Sequence, residues 1–380
     1  MLESPPRFTT FLVKLAARCN LNCDYCYVFN HADQSWKSLP RKLSVENQAC
    51  VAERIAEYTK ENKVSHCLVI FHGGEPLLMP HAQIVDFAAL ITQKAAPHTR
   101  VDFSLQTNGV LLNRAMLDAF RSAKIGVSLS LDGPKHANDQ HRLNHKGESS
   151  FHYVMNGLNL LQQYPDVFTG VISVIDVQNS PEELLEFFYN LDIRQLDFLL
   201  PDSNHMRPPP LRNTNYDIYR DWLLRCFDIW YAQYPDMKLR LFDSLMAAAL
   251  GDTSGTDAFG LGDVSLLSIE TDGSYHDLDV LKITSEGFSS FGLNVRENKI
   301  SEVVTLDRVA AHRKLLSYDG LSDTCKSCSV VNICGGGSVP HRYDSHSGFD
   351  NPTIYCHEMK SLISHITNVM KSDLQRVKAC

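Results

Sequence analysis

Two groups of cysteines have spacings that suit metal binding. The first group, Cys19, Cys23 and Cys26, forms a C-x3-C-x2-C pattern. Three thiolates can hold three irons of a cubane iron–sulfur cluster and leave the fourth iron open for a small molecule. Structural zinc needs four closed ligands, and the nearby sequence offers no obvious fourth. The spacing therefore predicts a catalytic iron–sulfur site, with zinc or a cofactor-free loop as the alternatives.

The second group contains four thiols and is a closed ligand set. Cys325 and Cys328 form a C-x2-C pair, and Cys334 and Cys356 follow. This arrangement suits either zinc or an iron–sulfur cluster, and spacing alone leaves both open. An iron–sulfur site in the first group favours the same chemistry in the second.

The remaining cysteines and the composition narrow the class of protein. Cys50, Cys67 and Cys226 have apolar neighbours and are expected to pack as small hydrophobes, while Cys380 is expected to fray. Eleven clustered cysteines without a signal peptide argue against a secreted disulfide scaffold. The net charge of −8 argues against nucleic-acid binding, and no apolar run approaches a membrane span. We expect a cytoplasmic protein.

Short β-rich runs alternate with helical patterns over the first 200 residues. The predicted strands are 11–16, 67–74, 101–109, 125–134, 167–175 and 193–201. Such alternation predicts an α/β fold with a mainly parallel sheet, whose active site lies at the carboxyl ends of the strands. The first cysteine group and the GGE, TNG and LDGP turns all follow predicted strands, so we expect them on one face. The predicted domains are 8–200, a helical bridge 201–263, and a cysteine-rich region 264–380.

The segment AARCNLNCDYCYVF resembles the signature of the radical S-adenosylmethionine (radical SAM) enzymes. The resemblance implies a partial (β/α)6 barrel in which Cys19, Cys23 and Cys26 hold a [4Fe–4S] cluster. It further implies that the open iron binds S-adenosylmethionine, which yields a 5′-deoxyadenosyl radical that abstracts a hydrogen atom. Tyr25 would lie near the adenine.

Three further segments, FHGGEPLL, SLQTNG and SLSLDGP…HR, match the same family. For the TNG segment the alternative is a plain strand-end turn, for Arg142 a surface salt bridge, and for the neighbouring His72 strand packing. The resemblance assigns a set of residues to the cofactor: Gly73, Gly74, Glu75, Ser104, Gln106, Thr107, Asn108, Ser130 and Arg142. It also implies that Asp132, with Ser130, points into the mouth of the barrel.

The second cysteine group resembles the SPASM extension of peptide-modifying radical enzymes, which usually carries two auxiliary [4Fe–4S] clusters. Only one ligand set is present, because segment 268–279 lacks cysteine and Ser338 replaces another. We therefore expect two [4Fe–4S] clusters in all. In two-cluster sulfatase-maturing enzymes an aspartate after the lost cysteine accepts a proton. Asp277 occupies that place here, either as a catalytic group or as a solvated loop carboxylate.

The segment CGGGSVPHRY…GFDNP…YC is similar to that of maturases that form three-residue cyclophanes. His341, Arg342 and Tyr343 would contact cluster sulfurs and substrate, or simply pack the glycine turn. The resemblance implies a C–C crosslink between an aromatic ring and a side-chain β-carbon of a ribosomal precursor peptide. The auxiliary cluster would accept the second electron.

The same resemblance implies partners and leaves alternatives. The partners are a precursor with leader and core, and an external electron donor such as flavodoxin or ferredoxin. No segment before Cys19 is long enough for a separate leader-binding domain of about 80 residues. The alternatives are epimerisation, thioether formation, formylglycine formation, or a non-catalytic zinc-stabilised binding protein.

Overall fold

The computed structural model describes residues 5–379, so Cys380 lies outside the described part of the chain. Ten strands and thirteen helices are found in these residues. The first half of the order is β1 Thr10–Ala16, α1 Val45–Glu61, β2 His66–Gly73, α2 His81–Ala95, β3 Arg100–Thr107, α3 Arg114–Ser122, β4 Ile125–Ser130, α4 Lys135–His141, α5 Phe151–Leu161, β5 Phe168–Val174, α6 Pro181–Asn190 and β6 Gln195–Leu199. The second half is α7 Ile218–Gln233, β7 Lys238–Leu239, α8 Arg240–Ala249, β8 Leu266–Ile269, β9 Ser274–His276, β10 Ser290–Asn294, α9 Ile300–Val304, α10 Asp307–Leu315, α11 Asp323–Lys326, α12 Val331–Cys334 and α13 Cys356–Ala379. Among these helices, none is long and apolar enough to cross a membrane.

The chain folds into two units, each assembled from separate stretches of sequence. Unit 1 contains residues 1–131, 138–171 and 264–311, and unit 2 contains residues 132–137, 172–263 and 312–380. The three domains predicted from the sequence, 8–200, 201–263 and 264–380, have other boundaries and stay a prediction.

Unit 1 is organised by a sheet in the order β10-β9-β8-β1-β2-β3-β4. Strands β8, β1, β2, β3 and β4 run parallel, and β9 and β10 continue the sheet antiparallel. The central strand β1 is buried on both faces, as a near-continuous apolar run in a parallel sheet requires. Its one charged residue, Lys14, is only 1 % exposed and therefore needs buried partners.

The neighbouring strands β2 and β3 alternate between two environments. In β2 the odd-numbered residues from Cys67 to Gly73 are buried, whereas Leu68, Ile70 and His72 are half-buried. The odd-numbered residues pack a core in which Phe71 stacks near Phe103 of β3. The other face stays partly open and carries the polar side chains that the sequence assigned to a cofactor.

Unit 2 is built mainly from helices. Helix α13 packs on α7 and α8, and the short strand β7 pairs with β6 in parallel. Cys226 of α7 is fully buried in this core, as predicted for a cysteine that acts as a small hydrophobe. The indole N–H groups of Trp222 and Trp230 each donate to a backbone carbonyl, so these large side chains are buried without unsatisfied donors.

The predicted α/β alternation is confirmed, with all six strands within a few residues of their expected bounds. Ser44 caps α1 by accepting from the backbone N–H of Asn47 at 3.1 Å. Strands β8 and β9 pair antiparallel around the turn at residues 271–274. The parallel pairing of β8 with β1 was not predicted, since it joins residues some 250 positions apart.

Candidate functional site

The first cysteine group lies in the loop that follows β1, and short backbone bonds fold this loop back on itself. The N–H of Cys26 donates to the carbonyl of Cys23 at 3.1 Å, and the N–H of Leu21 donates to Cys19 Sγ at 3.3 Å. Burial, followed by the charge of Glu75 and then by the thiols of Cys23 and Cys26, raises the pKa of Cys19 to about 12. The thiols of Cys23 and Cys26 are therefore near enough to act on Cys19 through their charge, and the ionised form of these thiols requires a cation.

This donor set fits the iron–sulfur cluster predicted for it. The fit rests on three soft thiols in one short loop, two of them strongly desolvated, which would hold three irons and leave one open. Burial also raises the pKa of Cys26, although the N–H groups of Val28 and Phe29 and the Lys14 ammonium oppose that increase. Bound iron would supply the positive charge that three ionised thiols need in such a place.

The GGE turn at the end of β2 forms the adjoining wall. A Cβ on Gly73 would lie 2.3 Å from the carbonyl oxygen of Ala16, and one on Gly74 would lie 2.4 Å from that of Arg18. Gly73 also has a φ of +135°. The resemblance assigned these two glycines to a cofactor. In the structure it is the start of the cysteine loop that approaches them, and the N–H of Gly74 donates to Ala16 at 2.8 Å.

Glu75 ties this turn to the end of β3. Its side chain is 1 % exposed and accepts from the N–H groups of Leu77 and Asn108 and from the hydroxyl of Thr107, at 2.8–2.9 Å. Burial raises the pKa of this carboxyl, and those N–H groups oppose the increase. Asn108 in turn donates to Asn20 Oδ1 at 2.8 Å. Glu75 therefore aligns the TNG turn with the cysteine loop.

The half-buried face of β3 and β4 carries polar side chains in register. Ser104 and Gln106 alternate with buried residues along β3. Gln106 Nε2 donates to Ser130 Oγ, at the end of β4, at 2.8 Å. Asp132, which belongs to unit 2, is buried and accepts from the N–H of Val174 at 3.1 Å. Ser104, Gln106 and Ser130 therefore lie on one face of the sheet, and their role toward a cofactor stays a proposal.

Residues 138–145 cover the cysteine loop. Arg142 is 6 % exposed, and its Nη1 donates to the Tyr25 hydroxyl at 2.8 Å. The surface salt bridge considered for Arg142 is therefore wrong, because its side chain is buried. Two histidines also contact the loop, with His141 at 2.8 Å from Asp24 and His145 at 2.9 Å from the carbonyl of Cys19. The sequence singled out neither histidine.

A buried charge network adjoins Cys26, and the sequence analysis missed it. Lys14 pairs with Asp279, and Lys282 pairs with both Asp279 and Glu270. All four residues are at most 3 % exposed. Although burial alone would raise the pKa of Asp279, the two ammonium groups hold it well below its ordinary value. The only available signal was a lysine in an otherwise apolar strand.

Two neighbours extend this network. Tyr27 donates its hydroxyl proton to Asp279, and His72 Nδ1 lies 3.2 Å from Lys14 Nζ. Desolvation, followed by the Lys14 ammonium, lowers the pKa of His72 to about 3, so its ring is neutral at physiological pH. Asp277 is only 5 % exposed and accepts from the N–H of Leu278 at 2.7 Å. The expectation of a solvated loop carboxylate at Asp277 is therefore wrong, because its strand-end position buries it.

The second cysteine group lies in unit 2 around a cavity of about 240 Å³. Cys325, Cys328, Cys334 and Cys356 all line it, together with Thr353, Lys360 and other residues. Burial raises the pKa of Cys334 to about 12, the N–H of Gly336 opposes that increase, and the thiols of Cys356 and Cys325 add to it. In the described part of the chain, no three His, Cys, Asp or Glu side chains converge closely enough for a single metal ion. Four thiols around such a cavity fit a multi-iron cluster.

The residues after the glycine turn pack the structure around it. Arg342 is 1 % exposed and donates to the carbonyls of the glycine turn. Of the two roles considered for it, these bonds show that it packs the turn. His341 lies 3.7 Å from Asp202 and edge-on to Tyr355. Tyr343 contacts the ring of Phe349.

The model of the radical SAM superfamily matches residues 13–188, which include the cysteine loop, the GGE turn and the TNG turn. The chain is therefore an enzyme whose residues 13–188 match the radical SAM superfamily, for which a [4Fe–4S] cluster is implied, and the alternative of a non-catalytic zinc protein is set aside.

Relatives of this chain align over nearly its whole length. A cysteine-type anaerobic sulfatase-maturating enzyme of Clostridium novyi is 26 % identical over 96 % of this chain and 97 % of its own. A serine-type enzyme of the same name from Bacteroides thetaiotaomicron is 25 % identical over 96 % and 91 %. The solved structure of native anSMEcpe with bound AdoMet and Cp18Cys peptide superposes with a TM-score of 0.83, at 22 % identity, over 97 % of this chain and 99 % of its own. The fold is thus shared with enzymes of this class.

Proposed function

We propose that this radical SAM enzyme modifies a ribosomal precursor peptide by joining an aromatic ring carbon to the β-carbon of a residue two positions later. The product is a three-residue cyclophane. Support for a peptide substrate comes from relatives named as sulfatase-maturating enzymes and from the anSMEcpe structure with a bound peptide. The choice of a crosslink rests on how this chain departs from those relatives.

The observation that carries this choice is the charge network in segment 268–279. A two-cluster SPASM enzyme carries cysteine ligands there, whereas this segment has none. Its carboxylates Glu270 and Asp279 are instead paired with Lys282 and Lys14 inside unit 1. Ion pairs thus stand in place of ligands, and the chain has one auxiliary thiol set. The segment CGGGSVPHRY, which resembles that of cyclophane-forming maturases, supports the same choice.

The proposal assigns the chain's own residues to holding S-adenosylmethionine. When bound at the open iron, this cofactor supplies a carbon radical that removes a hydrogen atom from a side-chain carbon. Gln106 and Ser130 would bond its polar groups from the half-buried face of the sheet. Arg142 is proposed to pair with its carboxylate, and Tyr25 orients the guanidinium through their 2.8 Å hydrogen bond.

Closing the crosslink also releases a proton, and Asp277 and Asp279 are buried carboxylates of the same segment. Asp279 is a weak base, since two ammonium groups keep it ionised and hold its pKa low. We therefore keep Asp277 as the proposed proton acceptor. If this is right, D277N lowers product formation at least tenfold while D279N still turns over. The reverse result would transfer the role to Asp279.

The decisive experiment is anaerobic co-expression with a small precursor encoded beside the gene, followed by mass spectrometry. We expect a product two hydrogen atoms lighter, with fragmentation blocked inside one aromatic-x-x motif. Cys19→Ala should abolish the product, whereas Cys50→Ala is the matched control because Cys50 lies half-buried in α1, outside both thiol groups. An unchanged peptide, or a product whose residues all fragment freely, would contradict the proposal.

Formylglycine formation is the second candidate, favoured by similarity to sulfatase-maturating enzymes over 96 % of the chain. Oxidation of serine to formylglycine also removes two hydrogen atoms, so mass alone does not separate the two reactions. Formylglycine carries an aldehyde that a hydrazide probe labels, and a cyclophane does not. Labelling of a Cys- or Ser-containing sulfatase peptide by this enzyme would select the second candidate.

A further inference from the structure

Arg342 is the most deeply buried cation of unit 2 among the described residues, and its hydrogen-bond partners are neutral carbonyls. It is 1 % exposed. Its Nε donates to the carbonyl of Gly336 at 3.1 Å, Nη1 to that of Leu315 at 2.8 Å, and Nη2 to those of Gly335 and Gly337 at 2.7 and 2.6 Å. Within the described residues, no carboxylate lies at ion-pair distance from this guanidinium. A buried cation without an anion costs several kcal/mol.

The carbonyls that accept hydrogen bonds from Arg342 belong to a turn of three glycines with left-handed backbone. Gly335, Gly336 and Gly337 have φ values of +56°, +81° and +71°, a left-handed run that side chains with a Cβ rarely adopt. A Cβ on Gly336 would lie 3.0 Å from the guanidinium carbon of Arg342. Three successive carbonyls can therefore converge on one cation.

The same turn reaches the auxiliary thiols. It directly follows Cys334, and the N–H of Gly337 donates to the Cys334 carbonyl at 2.9 Å. The N–H of Gly336 bonds the Cys334 thiol itself and favours its ionised form. Arg342 is bonded to the three carbonyls that directly follow Cys334, and Cys325 and Cys334 are the groups whose negative charge would act on it. Within the described residues, this thiol set is thus the source of a compensating anion for Arg342 once a cluster ionises it.

We propose that Arg342 is a positioning residue that supplies the compensating charge for an anionic iron–sulfur cluster held by Cys325, Cys328, Cys334 and Cys356, and raises the reduction potential of that cluster. This inference rests on the cluster chemistry of the proposed function. A cubane bound by four thiolates gains one further negative charge when a donor reduces it by one electron. A fixed cation nearby favours the more negative state, as net charge and hydrogen bonds to the sulfurs tune such potentials.

The test is a reductive titration of the auxiliary cluster, monitored by electron paramagnetic resonance with dithionite as the reductant. A C19A/C23A/C26A background of the full chain removes the signal of the other cluster. Arg342→Gln is expected to shift the midpoint potential to a more negative value. Arg342→Lys keeps the charge and should lie closer to the starting protein. Arg376→Gln is the control, since Arg376 on α13 is exposed and its charge is screened by solvent.

Each outcome decides the proposal. An unchanged midpoint in R342Q with full iron and sulfide content would overturn it, as would equal shifts in R342Q and R342K, because geometry rather than charge would then be responsible. If R342Q fails to load iron, the midpoint potential of R342K is compared with that of the starting protein instead. If R342K also fails to load iron, Arg342 has a purely structural role and the proposal is overturned. Zinc without sulfide in the starting protein overturns it too. None of these results bears on crosslinking by the Cys19 group, which peptide mass spectrometry reports separately.

Discussion

The substitution Lys14→Met tests whether the buried charge network stabilises unit 1. Lys14 is 1 % exposed and pairs with Asp279, while Lys282 is shared between Asp279 and Glu270. Removing Lys14 leaves two carboxylates and one ammonium group buried together. Breaking a buried pair from one side costs about 3–5 kcal/mol. At about 1.4 kcal/mol per tenfold change, K14M should raise the unfolding constant by roughly two to three orders of magnitude.

Urea unfolding of the anaerobically purified protein, followed by circular dichroism, measures this loss. The double variant K14M/D279L restores charge balance with apolar groups and should recover most of the lost stability. Lys94→Met is the matched control, because Lys94 pairs with Glu53 at the surface, where an ion pair contributes at most about 1 kcal/mol. If K14M and K94M lose the same small amount, or if the double variant is no more stable than K14M, the reasoning is refuted.

The sign of the pH dependence follows from the same pairs. The folded pKa of Asp279 is depressed, so its contribution is present above the ordinary carboxyl pKa and is lost as the pH falls below it. The folded pKa of Lys282 is raised by Asp279 and Glu270 despite burial, so its contribution is present below the ordinary lysine pKa and is lost at higher pH. The network should therefore stabilise the fold across the neutral range and weaken at both extremes.

Three further predictions concern the site. Glu75→Gln replaces an oxygen that accepts hydrogen bonds by an N–H₂ group that faces other donors. The affinity for S-adenosylmethionine, measured by calorimetry, should therefore fall at least tenfold. The control Glu61→Gln, on the surface, should leave that affinity unchanged. Gly74→Ala places a methyl group against the Arg18 carbonyl and should lower iron uptake and cost about 1–3 kcal/mol in unfolding experiments, whereas Gly262→Ala, which has open space, should match the starting protein. His72 should show no change in its ring nitrogen chemical shifts between about pH 5 and 8, since its pKa is lowered to about 3; a titration in that range would show that the ring is not desolvated beside a charged Lys14.

Much of the local structure of this protein follows from short-range sequence patterns. The six strands are recognisable because β-branched and aromatic runs end in glycine, asparagine or proline. The cap at Ser44 and the TDGS turn likewise depend only on residues a few positions away in the chain. The cysteine spacings work in the same way, since a C-x3-C-x2-C loop brings its three thiols together without help from distant residues. The placing of GGE beside this loop followed from strand order alone, because parallel strands end at one edge of a sheet.

Contacts between distant residues were decided only by the tertiary structure. Lys14 and Asp279 are 265 positions apart, and nothing in an apolar strand identifies the carboxylate that neutralises its single lysine. The burial of Asp277 and Arg142, which sequence reasoning had placed or allowed at the surface, depends on which segments cover them. Arg342 is the clearest case, because its charge is compatible with a wholly buried position only where three left-handed glycines turn their carbonyls inward beside ionisable thiols. Spacing along the chain determines which ligands are available, whereas folding determines their dielectric surroundings and compensating charges, on which the chemistry of those ligands depends.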